Sequence, residues 1–328
     1  MPGIKISVID GDAFTTKADT LILKFAQEAH GLDRDVIGKF ESMGYPIYEK
    51  LPCAWNFFFT GSKEVTNTKS LLFIGTPPLA YLKYKDIRSF GRIALISLAK
   101  ADPKTKSIIL TIHGPGFGLD EFEAFEAQVA GIVESITAGN CPPDLQEITF
   151  VERSEGRAER LQRVLKRLLP DGYIPPPKSG GLKDMGNGSS ETLRSAGYTS
   201  ESKKSVFVAM PFDSDFDDCY HYGIYGAVNA SGYLCERADL QSFTGDVMEW
   251  VKSRIMSADF IIADLTTANP SVYLEVGFAW GQNKRTILVI KKDTKDLRFD
   301  TQGQRCLLYT SIKDLETKLK AELVNLKF

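Results

Sequence analysis

The acids with the clearest chemical potential are Asp264 and Glu275, set at either end of a largely apolar, small-residue stretch, "ADFIIADLTTANPSVYLEVGFAWG" (258–281). Glu275 stands between Leu274 and Val276 in a pattern that predicts a buried helix, where an ionised carboxylate is costly unless paired or put to use. Desolvation raises a carboxyl pKa, and a raised pKa suits nucleophilic or acid–base work. A structural role stays open beside the chemical one: an acid that favours the helix N-terminal dipole, or a partner for a basic residue such as Arg237. Val272, Leu274, Val276, Phe278 and Ala279 leave little of the helix polar, and Gly277 and Gly281 permit close backbone approach, which favours chemistry.

The elements around these acids must hold them in place. "DFIIADL" reads as a strand ending at Asp264, and Asn269 as an N-cap with Pro270 in the first helical position, which fixes where the Glu275 helix begins. Before this unit come a strand "SVFVAMPF", a helix through Tyr220 to Ser231, a strand "YLCERAD" and a helix "GDVMEWVKSRIMSA". After it come strands "RTILVIKK" and "RCLLYTS" and the amphipathic helix "IKDLETKLKAELVNL". The pattern predicts a flavodoxin-like, doubly wound, five-stranded parallel sheet, in which ligands collect at the carboxyl ends of the strands flanking the switch point. The loops "AMPFDSD" and "ADLTTANP" would then face one crevice. Met210, Pro211, Phe212 and Asp213 on one loop and Thr266 and Asn269 on the other become candidates for lining a ligand site. Arg237, ending the second strand, is a candidate fork for a phosphate or carboxylate. Phe212, Tyr273 and Trp280 are candidates for stacking on a flat ligand ring, core packing being their alternative use. His221, in "CYHYGIYG", reads as a packed or solvated residue rather than an acid–base group.

"VFVAMPF" followed by "ADFIIADLTTANPSVYLEVGFAWGQNKRTILV" resembles the signature of the nucleoside 2-deoxyribosyltransferase-like and TIR-like superfamily, where a strand ends in "ADL" and the next helix carries "ExGxA". The resemblance implies that Glu275 is the catalytic carboxylate, attacking the anomeric carbon or stabilising an oxocarbenium-like state while an N-glycosidic bond breaks. Asp264 is then expected to hold ribose hydroxyls or orient the nucleophile. The implied substrate is a nucleoside or nucleotide, either NAD or a nucleoside phosphate, NAD being consumed as substrate in the TIR-like branch; no cofactor is expected, and a homo-oligomer is the implied assembly. Fused architectures of this kind imply an effector in bacterial antiviral defence. The competing expectation is a non-catalytic nucleotide-binding signalling or assembly module, because fold does not fix function.

Upstream, "IKISVIDGD", "DTLILKFA", "SLLFIG", "SIILTIHG" and "EITFVE" read as strands separated by helical patterns such as "YKDIRSFGRIALISLAKA", "DEFEAFEAQVAGIVESITAG" and "RAERLQRVLKRLL". Strands alternating with helices predict a second layered α/β unit with a mainly parallel sheet. "VIDGDAF…ADTLILKFA" resembles the macro domain and the macro-like N-terminal domain of leucine aminopeptidases, implying a nucleotide sensor, product-binding module or scaffold. "IHGPGFGLDEFEAF" (112–125) is a glycine-rich turn that offers backbone N–H groups to a phosphate or is simply tight. The stretch from Pro170 to Ser205 is crowded with Gly, Pro, Ser and Lys and reads as a flexible linker. The expected division is a macro-like α/β domain over 1–170, a linker over 171–204 and the catalytic α/β domain over 205–328.

Bulk properties narrow the partners. A chain of 328 residues, 43% hydrophobic and 25% charged, is ordinary for a globular protein and long enough for two cores. A formal net charge of -2 gives no support for a nucleic-acid partner. The five cysteines are scattered without CxxC or Cys/His spacing, so a metal site is not expected and reduced thiols in the cytoplasm are. "DSDFDD" (213–218) lacks the spacing of a calcium loop. No apolar run reaches the roughly 20 residues of a membrane span, and the N-terminus lacks a signal-peptide core.

Overall fold

A computed structural model describes residues 3–174, 187–211, 213–237, 247–292 and 306–326. The chain forms two compact units, one of Met1–Gly114 with Glu121–Glu201, the other of Pro115–Asp120 with Ser202–Phe328. Both are layered α/β structures, as the alternation of strand and helix patterns predicts.

The first unit contains β1 (Ile4–Asp10), β2 (Ala18–Phe25), α1 (Leu32–Ser42), β3 (Phe57–Gly61), β4 (Thr68–Gly75), α2 (Tyr84–Ala101) and β5 (Ser107–Leu110). It continues with α3 (Glu121–Thr137), β6 (Glu147–Glu152), α4 (Glu155–Leu168), β7 (Tyr173–Ile174) and α5 (Asn187–Ser195). The sheet order is β3-β4-β2-β5-β6-β1-β7, with parallel pairing except at the edges, where β3 and β7 run antiparallel to their neighbours. Successive residues serve opposite faces: Ile22, Leu72 and Ile108 belong to one core cluster, Leu21, Leu71 and Ile109 to the other. Continuous apolar runs such as "LLFI" in β4 are therefore what a strand covered on both sides needs.

The expectation of a flexible linker over 171–204 is corrected where the residues are described. β7 pairs with β1, and α5 sets Leu193, with Ala196 just beyond its end, into the first unit's core. Arg88 on α2 donates to the carbonyls of Leu193 and Ala196, each at 2.8 Å. Gly197, at φ +83°, then leaves the helical conformation. A composition averaged over the whole stretch hid the short apolar spacing of "ETLRSAG"; residues 175–186 lie outside the described residues.

The second unit contains β8 (Ser205–Ala209), a π-helical stretch (Cys219–Tyr225) continued by α6 (Gly226–Ala230), β9 (Leu234–Glu236), α7 (Val247–Ser257), β10 (Phe260–Asp264), α8 (Pro270–Gly281), β11 (Thr286–Lys291), β12 (Cys306–Tyr309) and α9 (Ile312–Asn325). All five strands are parallel, in the order β12-β11-β10-β8-β9, the flavodoxin-like arrangement with its switch point between β8 and β10. Asp120, fully buried, accepts from the Tyr225 hydroxyl at 2.8 Å and from Cys235 N–H at 2.9 Å. Arg254 donates to Gly118 O at 3.0 Å and pairs with buried Glu236. The glycine-rich turn is thus packed: a Cβ on Gly118, at φ +85°, would meet Arg254 Nε at 3.0 Å and the Trp250 ring at 3.1 Å.

In the first unit, α2 and α3 touch backbone to backbone at two glycines. A Cβ on Gly131 would lie 1.9 Å from Arg88 O, and one on Gly91 would lie 2.4 Å from Gln128 O. Gly131→Ala is therefore expected to force the helices apart and destabilise the protein by about 1–3 kcal/mol, read as a lowered denaturation midpoint.

Candidate active site

Local rules place α8. The Asn269 side chain accepts from Ser271 N–H at 2.9 Å and Pro270 occupies the first turn, as the sequence predicts. Ala268, just before the cap, sits at φ +50°, a left-handed conformation unfavourable for alanine, held by its N–H donating to Leu265 O at 3.0 Å.

The residues of α8 that turn inward are Val272, Glu275, Val276 and Ala279, spaced by three, four and seven, so Glu275 lies on the stripe that packs into the unit. Its polarity is inverted relative to its neighbour: Glu275 is 8% exposed, Leu274 57%. Among the described residues the Glu275 carboxyl makes neither an ion pair nor a hydrogen bond, and burial alone pushes its pKa up from 4.5 to about 7. The other buried acids among the described residues are all engaged: Asp33 with Lys24, Asp120 with Tyr225 and Cys235, Glu126 with Arg167, Glu236 with Arg254, and Asp264 as described below.

Neither structural role for Glu275 accounts for this setting. Arg237 turns elsewhere, its guanidinium 4.6 Å from the Tyr220 ring centroid and Nη1 3.9 Å from Asp217 Oδ1. Glu275 also lies beyond the first turn of α8, where the helix dipole has largely faded.

Asp264 is a different kind of acid. It is fully buried at the end of β10, with Oδ1 accepting from Thr266 N–H at 2.9 Å and Oδ2 accepting from the Tyr309 hydroxyl at 3.2 Å; Cys219 Sγ lies 3.7 Å from Oδ2. Burial raises its pKa while these donors oppose the rise. Burial and then the Asp264 charge lift the Cys219 thiol to about 11, and the same two causes raise Tyr309. Thr266 Oγ1 stands 3.2 Å from the Tyr309 hydroxyl and accepts from Lys291 N–H at 3.1 Å. These bonds tie Asp264 to the loop leading to the α8 cap, and because a carboxylate oxygen that accepts one donor keeps a second acceptor site, Oδ1 retains one. Cys219 and Tyr309 had no signal in the sequence, since only the sheet order brings β12 and the π-helical stretch to the end of β10.

Of the remaining candidates, Met210 and Pro211 are buried at the end of β8, and Phe212 lies outside the described residues. Asp213 is exposed and caps a short turn, accepting from Asp215 N–H at 3.1 Å. Tyr273 and Trp280 are half-buried and pack against the second unit's core, the alternative use the sequence left open. His221 packs edge-on to Tyr220, ring centroids 4.9 Å apart. No cluster of three or more potential metal-ligating side chains occurs among the described residues, and no helix among them is long and apolar enough to cross a membrane.

No protein-family model and no curated protein matches the chain. Solved structures do. A macrodomain from Trypanosoma brucei in complex with ADP is 13% identical, over 49% of this chain and 69% of its own, at a TM-score of 0.42. A macrodomain from Oceanobacillus iheyensis bearing ADP-ribose is 17% identical, over 50% of this chain and 92% of its own, at a TM-score of 0.40. A CMP N-glycosidase from Clostridium botulinum is 18% identical, over 36% of this chain and 99% of its own, at a TM-score of 0.30. At such distances the chemistry rests on this chain's own residues.

The raised Glu275 pKa has a consequence for stability. The folded state holds this proton more tightly than the unfolded chain, so its penalty is absent below pH 4.5, grows as pH rises toward 7 and is complete above it. Glu275→Gln should stabilise the protein at pH 8 by up to about 3 kcal/mol and by little at pH 4.5, as measured by denaturant unfolding at the two pH values.

Proposed function

We propose that the second unit cleaves the N-glycosidic bond of a nucleoside or nucleotide, with Glu275 as the carboxylate that meets the anomeric carbon. The observation that carries this reading is the unpaired, buried Glu275 carboxyl near pKa 7, on the helix that follows the switch-point strand. As the base leaves with the bonding electrons, positive charge builds at the anomeric carbon. A carboxylate in a dry setting stabilises that charge, or bonds to the carbon, far better than one in water. The departing base takes up a proton, and water or a second base then accepts the sugar. Asp264 acts at one remove, holding Thr266 and the cap of α8 so that Glu275 keeps its place.

The substrate classes proposed are nucleoside monophosphates, nucleosides and NAD, NAD being consumed rather than used as a cofactor. Backbone near Met210 and the loop from Thr266 to Asn269 would receive phosphate and sugar, with Arg237 as a further phosphate donor. The first unit is read as a nucleotide sensor or scaffold, on its resemblance to macro domains, and the whole chain as an effector of antiviral defence, on the resemblance of its fused architecture.

The full chain, incubated with NAD, nucleosides and nucleoside monophosphates, is expected to release free base, detected by chromatography. Glu275→Gln should lower that rate by about a hundredfold or more while remaining folded. If Glu275 acts ionised, the rate should rise with pH through about 7. Absence of base release from every substrate class would overturn the assignment.

A further inference from the structure

The open edge of the first unit's sheet carries its own instruction for pairing. Among the described residues β3 pairs only with β4, so its other side presents unpaired backbone groups. From Trp55 through Ser62 the sequence "WNFFFTGS" contains no charge and no proline, the devices that ordinarily blunt an edge strand. Phe57, at the start of the strand, is 39% exposed, and Trp55 and Tyr45 near its two ends are exposed as well.

The pairing with β4 determines which residues face outward. Phe57 stands opposite Ile74 and Gly61 opposite Ser70 in an antiparallel register, and Ser62 N–H donates to Lys69 O at 3.0 Å. Hydrogen-bonded positions alternate along such a ladder, so Phe58 and Thr60 bond to β4, and the N–H and C=O groups of Phe57, Phe59 and Gly61 point to the open side.

We infer that β3 is a homotypic docking strand, where a second copy of this chain adds its own β3 antiparallel and continues the sheet across a two-fold axis. Pairing centred on Phe59 aligns every outward residue with another: Phe59 with Phe59, and Phe57 with Gly61 of the second copy. That register lays the exposed Phe57 ring over a glycine, a cross-strand match in which an aromatic covers an edge strand's bare backbone. It also brings the Trp55 end of one copy beside the Lys63 end of the other, where Lys63 Nζ lies 5.8 Å from the Tyr45 ring. The uncharged strand opposes no like charges on itself, and the contact is isologous, so it closes at a dimer. The inference is independent of the chemistry assigned to Glu275.

Sedimentation of the full chain over a concentration series should show a monomer–dimer equilibrium. Amide exchange should slow in residues 55–62 as the dimer fills. Phe57→Lys and Gly61→Lys place charge at the two ends of the pairing; Phe57 is exposed and a Cβ on Gly61 meets nothing within 4 Å, so both variants should fold and sediment as monomers. Val324→Lys on exposed α9 should leave the dimer intact. A wild-type chain that stays monomeric throughout, or a dimer that both β3 variants leave unchanged with exchange at 55–62 unaltered, would overturn the proposal. Capture of a different partner by β3 with no self-association would also overturn it.

Discussion

Desolvation of one carboxyl sets the terms for the second unit. Glu275 occupies a position that apolar side chains fill on either side, on the inward stripe of α8, and no neighbour among the described residues compensates it. A buried group of this kind lowers stability whenever it ionises, so its environment must be rigid enough to keep it in place at that cost. The rigidity comes from the start of the helix: the Asn269 cap, Pro270, the left-handed Ala268 and the Asp264 network beneath them all fix where α8 begins. A fixed start fixes the rotation of every later residue, Glu275 included.

The two acids of the opening motif divide the labour through their surroundings. Asp264 accepts from a backbone N–H and a hydroxyl, which oppose but do not cancel the rise in pKa that burial imposes. Glu275 has burial alone, and its proton is correspondingly easy to keep and to lose near neutrality. One carboxylate is tied into the protein and the other meets burial alone, the kind of contrast in environment that sets paired carboxyls apart.

Much of this was legible in the sequence, for physical reasons that can be named. The doubly wound sheet was readable because short β-branched runs such as "FIIAD" and "TILVI" cannot be exposed, and they alternate with helices whose ends carry strong caps. The buried setting of Glu275 was readable from its neighbours. The anchoring of Asp264 was not, because Tyr309 and Cys219 reach it only through strand order and a π-helical turn, neither of which leaves a local pattern. The ordered segment around Leu193 was lost within a polar, glycine-rich average, although Leu193 and Ala196 in the core and their two carbonyls accepting from Arg88 hold it down. The open edge of β3 leaves no mark in "FFFTG", an apolar run of the kind a covered strand also carries; only the sheet order reveals that one side of it is open.

The second unit takes Pro115–Asp120 from far upstream in the chain, between β5 and α3. Asp120 supplies the acceptor for the buried Tyr225 hydroxyl and the Cys235 amide, and Gly118 the carbonyl that receives Arg254. A gene fragment beginning at residue 202 would therefore lack the acceptors that the Tyr225 hydroxyl, the Cys235 amide and Arg254 use. The two units are interleaved in sequence, and neither is a cassette that recombination could move as one uninterrupted piece.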